Sequence, residues 1–269
     1  MQKNWNILES NNAVVSKLSK ALNVSEIVSH LLVLRGITTF EEAKLFFRPE
    51  ISHLHDPFLM KNMQKAVDRI QTVIANGEKV LVYGDYDVDG TTSVAMMYSF
   101  LKKKVKEIEY YIPCRYDEGY GISLKGIDYA KDNNFALIIA LDCGIRAVNQ
   151  VDYANKKGVD FIICDHHNPG EKVPEAVAIL NPKQIDCDYP YKELSGCGVG
   201  FKLIQAFSKQ NNIDFSEIME YLDLLTVSIG ADIVPMTGEN RVFSFYGLQQ
   251  INKTPRVGLK ALMEIANKT

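Results

Sequence analysis

Apolar residues over positions 1 to 60 recur at near-helical spacing. Ile27, Leu31 and Leu34 form one such stripe, and Thr39 followed by Glu41 and Glu42 marks a capped helix start. This stretch reads as a helical N-terminal extension. Val67, Ile70 and Ile74 then share one helical face that ends at Asn76-Gly77, and Lys79 to Tyr83 follows as an apolar, β-branched strand. From there strand and helix alternate. Val94, Met97, Tyr98 and Leu101 predict a helix, and strands are expected near Ile108 to Ile112, Phe135 to Leu141, Val159 to Cys164 and Ala176 to Leu180. Helices near Leu124 to Lys131 and Ala147 to Lys156 separate them. The strands are too continuously apolar to have a wet face. The expectation is therefore an α/β fold, a parallel sheet flanked by helices on right-handed crossovers. From about residue 195 the pattern turns helical, with Val199, Leu203 and Phe207 on one face and Ile218, Tyr221, Leu222 and Leu225 on another. The domain reading is a helical extension over 1–60, an α/β domain over 61–250 and the start of a linker helix over 251–269. Val257 to Ala266 is patterned as a helix without a stop signal.

In open parallel α/β sheets, ligands bind beyond the carboxyl ends of the strands. Three of the expected strands end in acids: one leads into Gly84-Asp85-Tyr86-Asp87-Val88-Asp89-Gly90, one into Asp142-Cys143-Gly144 and one into Asp165-His166-His167. If residues 85–89 stay extended, the period of two puts Asp85, Asp87 and Asp89 on one side. Asp142 and Asp165 would join them in one crevice, where so many carboxylates oppose folding unless cations neutralise them. Carboxylate oxygens with imidazole nitrogens suit Mn²⁺ or Mg²⁺ better than a thiolate-rich structural zinc site. Cys143 and Cys164 flank these residues and are expected to pack inward.

Two other readings of the acidic loop fit less well. An EF-hand needs a glutamate at the twelfth loop position, where Met96 stands when Asp85 is counted first. The run Asp87-Val88-Asp89-Gly90-Thr91 matches a haloacid-dehalogenase nucleophile loop, but Asp85 precedes it and a histidine pair replaces the lysine such enzymes need.

Composition narrows the partners. Hydrophobic residues at 46% and charged residues at 23% describe an ordinary folded protein, and a net charge of −3 confines any contact with a polyanion to a local patch. The basic run Lys102, Lys103, Lys104 and Lys106 closes a helix, where it reads as a solvated complement to the helix dipole. Five scattered cysteines without a CxxC pair read as reduced thiols. The N-terminus MQKNWNILES lacks the apolar core of a leader, so a cytoplasmic protein is expected.

The segments YGDYDVDG (83–90), LDCG (141–144), DHH (165–167), SGCGVGFKL (195–203) and ADIVP (231–235) resemble, in order and spacing, the RecJ-type exonucleases of the DHH phosphoesterase superfamily. RGITTFEEA near residue 35, Asp56-Pro57-Phe58 and IPCRYDEGYG at 112–121 extend the resemblance over nearly the whole chain. It implies a 5′-to-3′ exonuclease acting on single-stranded DNA in recombination and repair, with two Mn²⁺ or Mg²⁺ ions. It implies Asp87, Asp89, Asp142, His166 and Asp232 as metal ligands, with Asp142 bridging and Asp85 either a ligand or behind the ligands. Asp223 competes with Asp232 for the last place. Asp165 is implied to orient a histidine and His167 to meet the substrate phosphate.

Ser195, Gly196, Cys197 and Gly198 offer backbone N–H groups to a phosphate, or form a plain helix start. Arg115, Tyr120 and Arg241 are candidates for contacting the DNA backbone or stacking a base. Family members continue into a DHH-associated domain whose glycine-rich segment is not visible here. The expectation is therefore a catalytic part that binds metal with weak or absent processive exonuclease activity. Within the superfamily the alternatives are a phosphodiesterase for short oligonucleotides or cyclic dinucleotides and a non-catalytic replication scaffold.

Overall fold

Short polar residues launch the helices of the N-terminal region. Asn11 accepts from the Ala13 and Val14 N–H groups at the head of α1 (Asn12–Leu22), and Ser25 accepts from Val28 at α2 (Glu26–Leu34). At α3 (Phe40–Phe47), the Thr39 hydroxyl accepts the Glu42 N–H while the Glu42 carboxylate accepts the Thr39 N–H, a complete capping box. Among the described residues, Val15, Leu18, Leu32 and Ala43 are the buried apolar ones here. The stripe read from the sequence is not the buried face: Ile27 and Leu31 are exposed, and Leu32 is buried in their place.

The computed structural model describes Asn6 and residues 8–266 and divides into two compact units, Met1–Ile51 and Ser52–Thr269. The division falls earlier than residue 60 because residues 52–60 are tied to the second unit. The His55 N–H donates to Glu239, Lys202 donates to the His55 carbonyl, and Met60 is buried in the core.

The second unit opens with α4 (Met63–Asn76), stopped by Gly77 in the left-handed region. Then come β1 (Lys79–Gly84), α5 (Val88–Leu101), β2 (Ile108–Tyr111), α6 (Leu124–Asp132), β3 (Phe135–Leu141), α7 (Val148–Lys157), β4 (Asp160–Cys164) and β5 (Ala178–Leu180). The five strands are all parallel, in the order β2-β1-β3-β4-β5. Alternate side chains feed two cores. Val80, Val82, Leu137, Ile139 and Ile162 face α4 and α5, whereas Leu81, Tyr83, Ile138, Ala140 and Ile163 face α6 and α7. This is the doubly covered parallel sheet that continuous apolar strands require.

Helices α8 (Gly196–Gln210), α9 (Phe215–Ile218), α10 (Leu222–Ala231), α11 (Gly238–Lys253) and α12 (Val257–Ile265) complete the chain. No helix among the described residues is long and apolar enough to cross a membrane. The basic run after α5 lies on aromatic rings: Lys102 Nζ is 5.4 Å from the Tyr98 centroid, Lys103 5.6 Å from Tyr221 and Lys104 4.9 Å from Phe100.

One ion pair ties the helical part together. Lys202 on α8 and Glu239 on α11 are both fully buried and 3.0 Å apart. Glu239 also accepts from the His55 N–H at 3.0 Å and the Tyr189 hydroxyl at 2.6 Å. Removing one partner leaves a buried charge unpaired. Lys202→Met is expected to cost about 3–5 kcal/mol in urea unfolding, with much of the loss recovered in Lys202→Met/Glu239→Leu. A single variant as stable as the wild type would show that the pair does not tie these segments.

Candidate active site

Strands β1, β3 and β4 run level, so that Gly84, Leu141 and Cys164 share one register and Asp85, Asp142 and Asp165 follow at the same edge. The strand order reverses between β1 and β3, which opens a crevice there at the carboxyl ends. The first acidic loop does not stay extended. The Asp87 side chain accepts the Gly90 N–H at 2.9 Å and starts α5 at Val88, because aspartate is a strong helix N-cap. Asp85 and Asp89 are therefore buried while Asp87 is exposed, and the row of three carboxylates read from the sequence does not form.

His166 stands at the centre, 6% exposed. Its Nε2 lies 3.2 Å from Asp142 Oδ1, 3.6 Å from Asp232 Oδ2 and 3.8 Å from Asp89 Oδ2. Among the described residues, neither ring nitrogen has a hydrogen-bond partner, and neither do Asp142 Oδ1 and Asp85 Oδ2. Two groups among the described residues bring ligand atoms within 4.8 Å of one another: Asp89, His166 and Asp232, and Asp142, His166 and His167. Asp223 lies elsewhere, with Oδ2 2.7 Å from Arg256 Nε. Of the two competing acids, Asp232 is the one beside His166.

Burial, and then the charges of Asp89, Asp87, Asp165 and Asp232, push the Asp142 carboxyl up to about 11. Burial raises Asp89 and Asp85 and lowers His166. Asp142 also takes a φ of +60°, an uncommon conformation for a residue other than glycine. Burial thus disfavours the charged forms of these groups, a cost that a bound cation would offset.

Asp89 is held by residues that sequence reading assigned elsewhere. Its Oδ2 accepts the Gly196 N–H at 2.7 Å, and its Oδ1 accepts the Cys197 N–H at 2.8 Å and the Ser228 hydroxyl at 2.7 Å. Ser195 Oγ lies 2.7 Å from Ser228 Oγ and accepts the Gly198 N–H at 3.1 Å. The N–H groups expected to meet a phosphate thus meet a carboxylate of the cluster. A Cβ on Gly196 would stand 2.4 Å from Asp142 Oδ1, so only glycine permits this approach. Ser228 was not singled out in the sequence; its one signal is its place four residues before Asp232, on the same helical face.

His167 is fixed separately. Its Nδ1 is 2.7 Å from Asp165 Oδ1, which also accepts the His166 and His167 N–H groups, and Asp165 Oδ2 accepts the Ile145 N–H at 2.8 Å. Burial alone would raise Asp165, but these bonds, led by the one to His167, hold it below the ordinary carboxylate value. The same bond raises His167. The Tyr120 hydroxyl lies 3.2 Å from His167 Nε2, Tyr86 meets Tyr120 edge to face, and the Arg115 guanidinium is 5.2 Å from the Tyr86 ring centroid. Glu118 anchors their loop by accepting from the Cys114 N–H and the Tyr111 and Ser123 hydroxyls. Beside His167 a cleft of about 460 Å³ is lined by Tyr120, Gly144, Ile145, Arg146, Gln150 and Asn168. Arg241 lies half-buried near the start of α11, and Cys143 and Cys164 pack inward, their thiols raised by burial.

Comparison with known proteins fits this geometry. The DHH family, N-terminal domain, matches residues 79–229. The single-stranded-DNA-specific exonuclease RecJ of Bacillus subtilis (strain 168) is 41% identical over 263 residues, 97% of this chain and 33% of that protein. RecJ of Escherichia coli (strain K12) is 34% identical over 220 residues, 78% of this chain and 38% of that protein. The chain thus spans between a third and two fifths of the length of these relatives. An exonuclease RecJ bound to manganese superposes with a TM-score of 0.72 at 29% identity, covering 82% of this chain and 55% of that one. RecJ of Thermus thermophilus in complex with Mn²⁺ gives 0.78 at 26% identity, over 96% of this chain and 36% of that one. With the fold, the carboxyl-edge acids and the Asp165-His166-His167 triplet in agreement, the chain belongs to the DHH family.

Proposed function

We propose that this chain is the catalytic core of a divalent-metal-dependent phosphodiesterase that removes nucleotides from single-stranded DNA in the 5′-to-3′ direction, in recombination and repair. The observation that carries this reading is the buried set of Asp89, Asp142, His166 and Asp232, with unpartnered atoms on Asp142 and His166. The names and bound manganese of the similar proteins support it.

The donor set fits Mn²⁺ or Mg²⁺: carboxylate oxygens and one or two imidazole nitrogens, with no cysteine in either group among the described residues. Asp89, Asp142, His166 and Asp232 would hold one ion, and Asp85, Asp87 and Asp142 offer carboxylates to a second. When bound, such ions supply Lewis-acid stabilisation of the phosphoryl oxygens and a nucleophilic water at neutral pH. The protein's own residues do the positioning. Asp165 fixes the tautomer of His167, whose Nε2, beside the Tyr120 hydroxyl, would turn to the substrate phosphate and donate to its developing charge when protonated. The first turn of α8 and Ser228 orient Asp89. Tyr86, Tyr120 and Arg115 present a stacking and cationic surface for the strand, Arg241 offers a further backbone contact, and the cleft beside His167 has room for a nucleotide.

Three outcomes are expected. In Mn²⁺ with end-labelled single strands of several lengths, Asp142→Ala should lower product formation by more than about 100-fold, since removing even a supporting residue costs 10 to 100-fold. Equal product from both proteins would remove Asp142 from the mechanism.

Asp142 stands above its unfolded value, so the metal-free folded chain binds more protons than the unfolded chain and loses stability as pH rises. In chelator, Asp142→Asn should therefore melt above the wild type, by a margin that widens between about pH 7 and pH 9. Saturating Mn²⁺ should reverse the order. A wild type that outlasts the variant in chelator would contradict this charge balance.

Ser228→Ala should weaken Mn²⁺ binding by about 10 to 100-fold in calorimetric titration. Unchanged affinity would show that the hydroxyl does not orient Asp89.

A further inference from the structure

Ile233 occupies a conformation that a β-branched residue rarely takes. It follows Asp232, the C-cap of α10, and its φ of +58° lies in the left-handed region, where glycine or asparagine is comfortable and a β-branched side chain is crowded against its own backbone. Burial does not offset this strain, because Ile233 is 86% exposed. Nor is the turn free to relax. The Tyr191 hydroxyl lies 3.2 Å from the Pro235 carbonyl and 2.9 Å from that of Thr237, and the Asn240 amide donates to Pro235 O at 3.1 Å. The segment holds one apolar side chain in water directly after Asp232, whose carboxylate is 3.6 Å from His166. Other exposed apolar groups flank residues of the cluster: Val88 stands between Asp87 and Asp89, and Tyr120 lies against His167.

We propose that Ile233 is a nucleobase contact, packing on the face of an unstacked base when the neighbouring phosphate lies over the Asp89, Asp142, His166 and Asp232 cluster. The inference rests on the nucleic-acid reading above and adds to it a residue that selects strandedness. In a duplex the base faces are covered by their neighbours in the stack. A single strand can turn one toward an exposed apolar side chain. The contact thus favours single strands and contributes nothing to a duplex. Strain kept at an exposed apolar residue beside reactive groups is the expected signature of such a role.

Ile233→Gly and Ile233→Asn test it, since both relieve the left-handed strain and remove the apolar surface. Each is expected to raise the thermal midpoint by about 2 °C and leave Mn²⁺ affinity unchanged. Each should weaken binding of a short phosphorothioate-linked thymidine oligonucleotide about fivefold in fluorescence anisotropy with Mn²⁺ present, with no change for a duplex. Unchanged binding of the single strand, or an equal loss on the duplex, overturns the contact. A parallel loss of Mn²⁺ affinity also overturns it, by showing that the turn acts through Asp232. A wild-type chain that binds Mn²⁺ but no oligonucleotide overturns the substrate reading itself, and the contact with it.

Discussion

The carboxylate of Asp89 joins three helices. It belongs to the first turn of α5, accepts two backbone N–H groups from the first turn of α8, and accepts the hydroxyl of Ser228 on α10. The helix N-terminus favours the negative charge, and the charge fixes where the helix begins. Everything around the crevice follows from that junction. It draws Gly196 against Asp142, where a side chain would not fit, and it sets the register of α10, so that Asp232 comes to His166 one turn beyond Ser228.

Two aspartates at the same sheet edge show how surroundings assign roles. Asp165 is surrounded by N–H donors and His167, stays ionised and serves as an anchor. Asp142 has an oxygen with no donor, four acids close enough to raise it, and a left-handed backbone. A proton or a cation must answer that charge, and the adjacent unpartnered nitrogens of His166 favour the cation.

The strand and helix alternation was legible because buried parallel strands are continuous apolar runs, and β3 occupies the span its sequence marks. The acids after β1, β3 and β4 were legible for the same reason, since a strand end locates the crevice. Asp87 was read differently because an extended loop and a helix N-cap use the same residue, and only the packing of α5 decides between them. The role of α8's first turn was hidden because its partner, Asp89, lies more than a hundred residues away. Helix α11 left no clear signal. Its buried face includes the polar Glu239, Asn240 and Ser244, and Glu239 is satisfied by the distant Lys202 and Tyr189, so the usual apolar period is broken. Asp223 and Asp232 look alike in sequence and separate only when Arg256 pairs with the first.

The central claim is that the carboxyl-edge cluster is a metal site built by Asp89, Asp142, His166 and Asp232. Anomalous diffraction at the manganese edge from crystals soaked in Mn²⁺ tests it most directly. The expected result is a peak within about 2.5 Å of oxygens of Asp142 and Asp232 and a nitrogen of His166. A fully soaked crystal with no peak there, or with manganese only at surface carboxylates, would contradict the account.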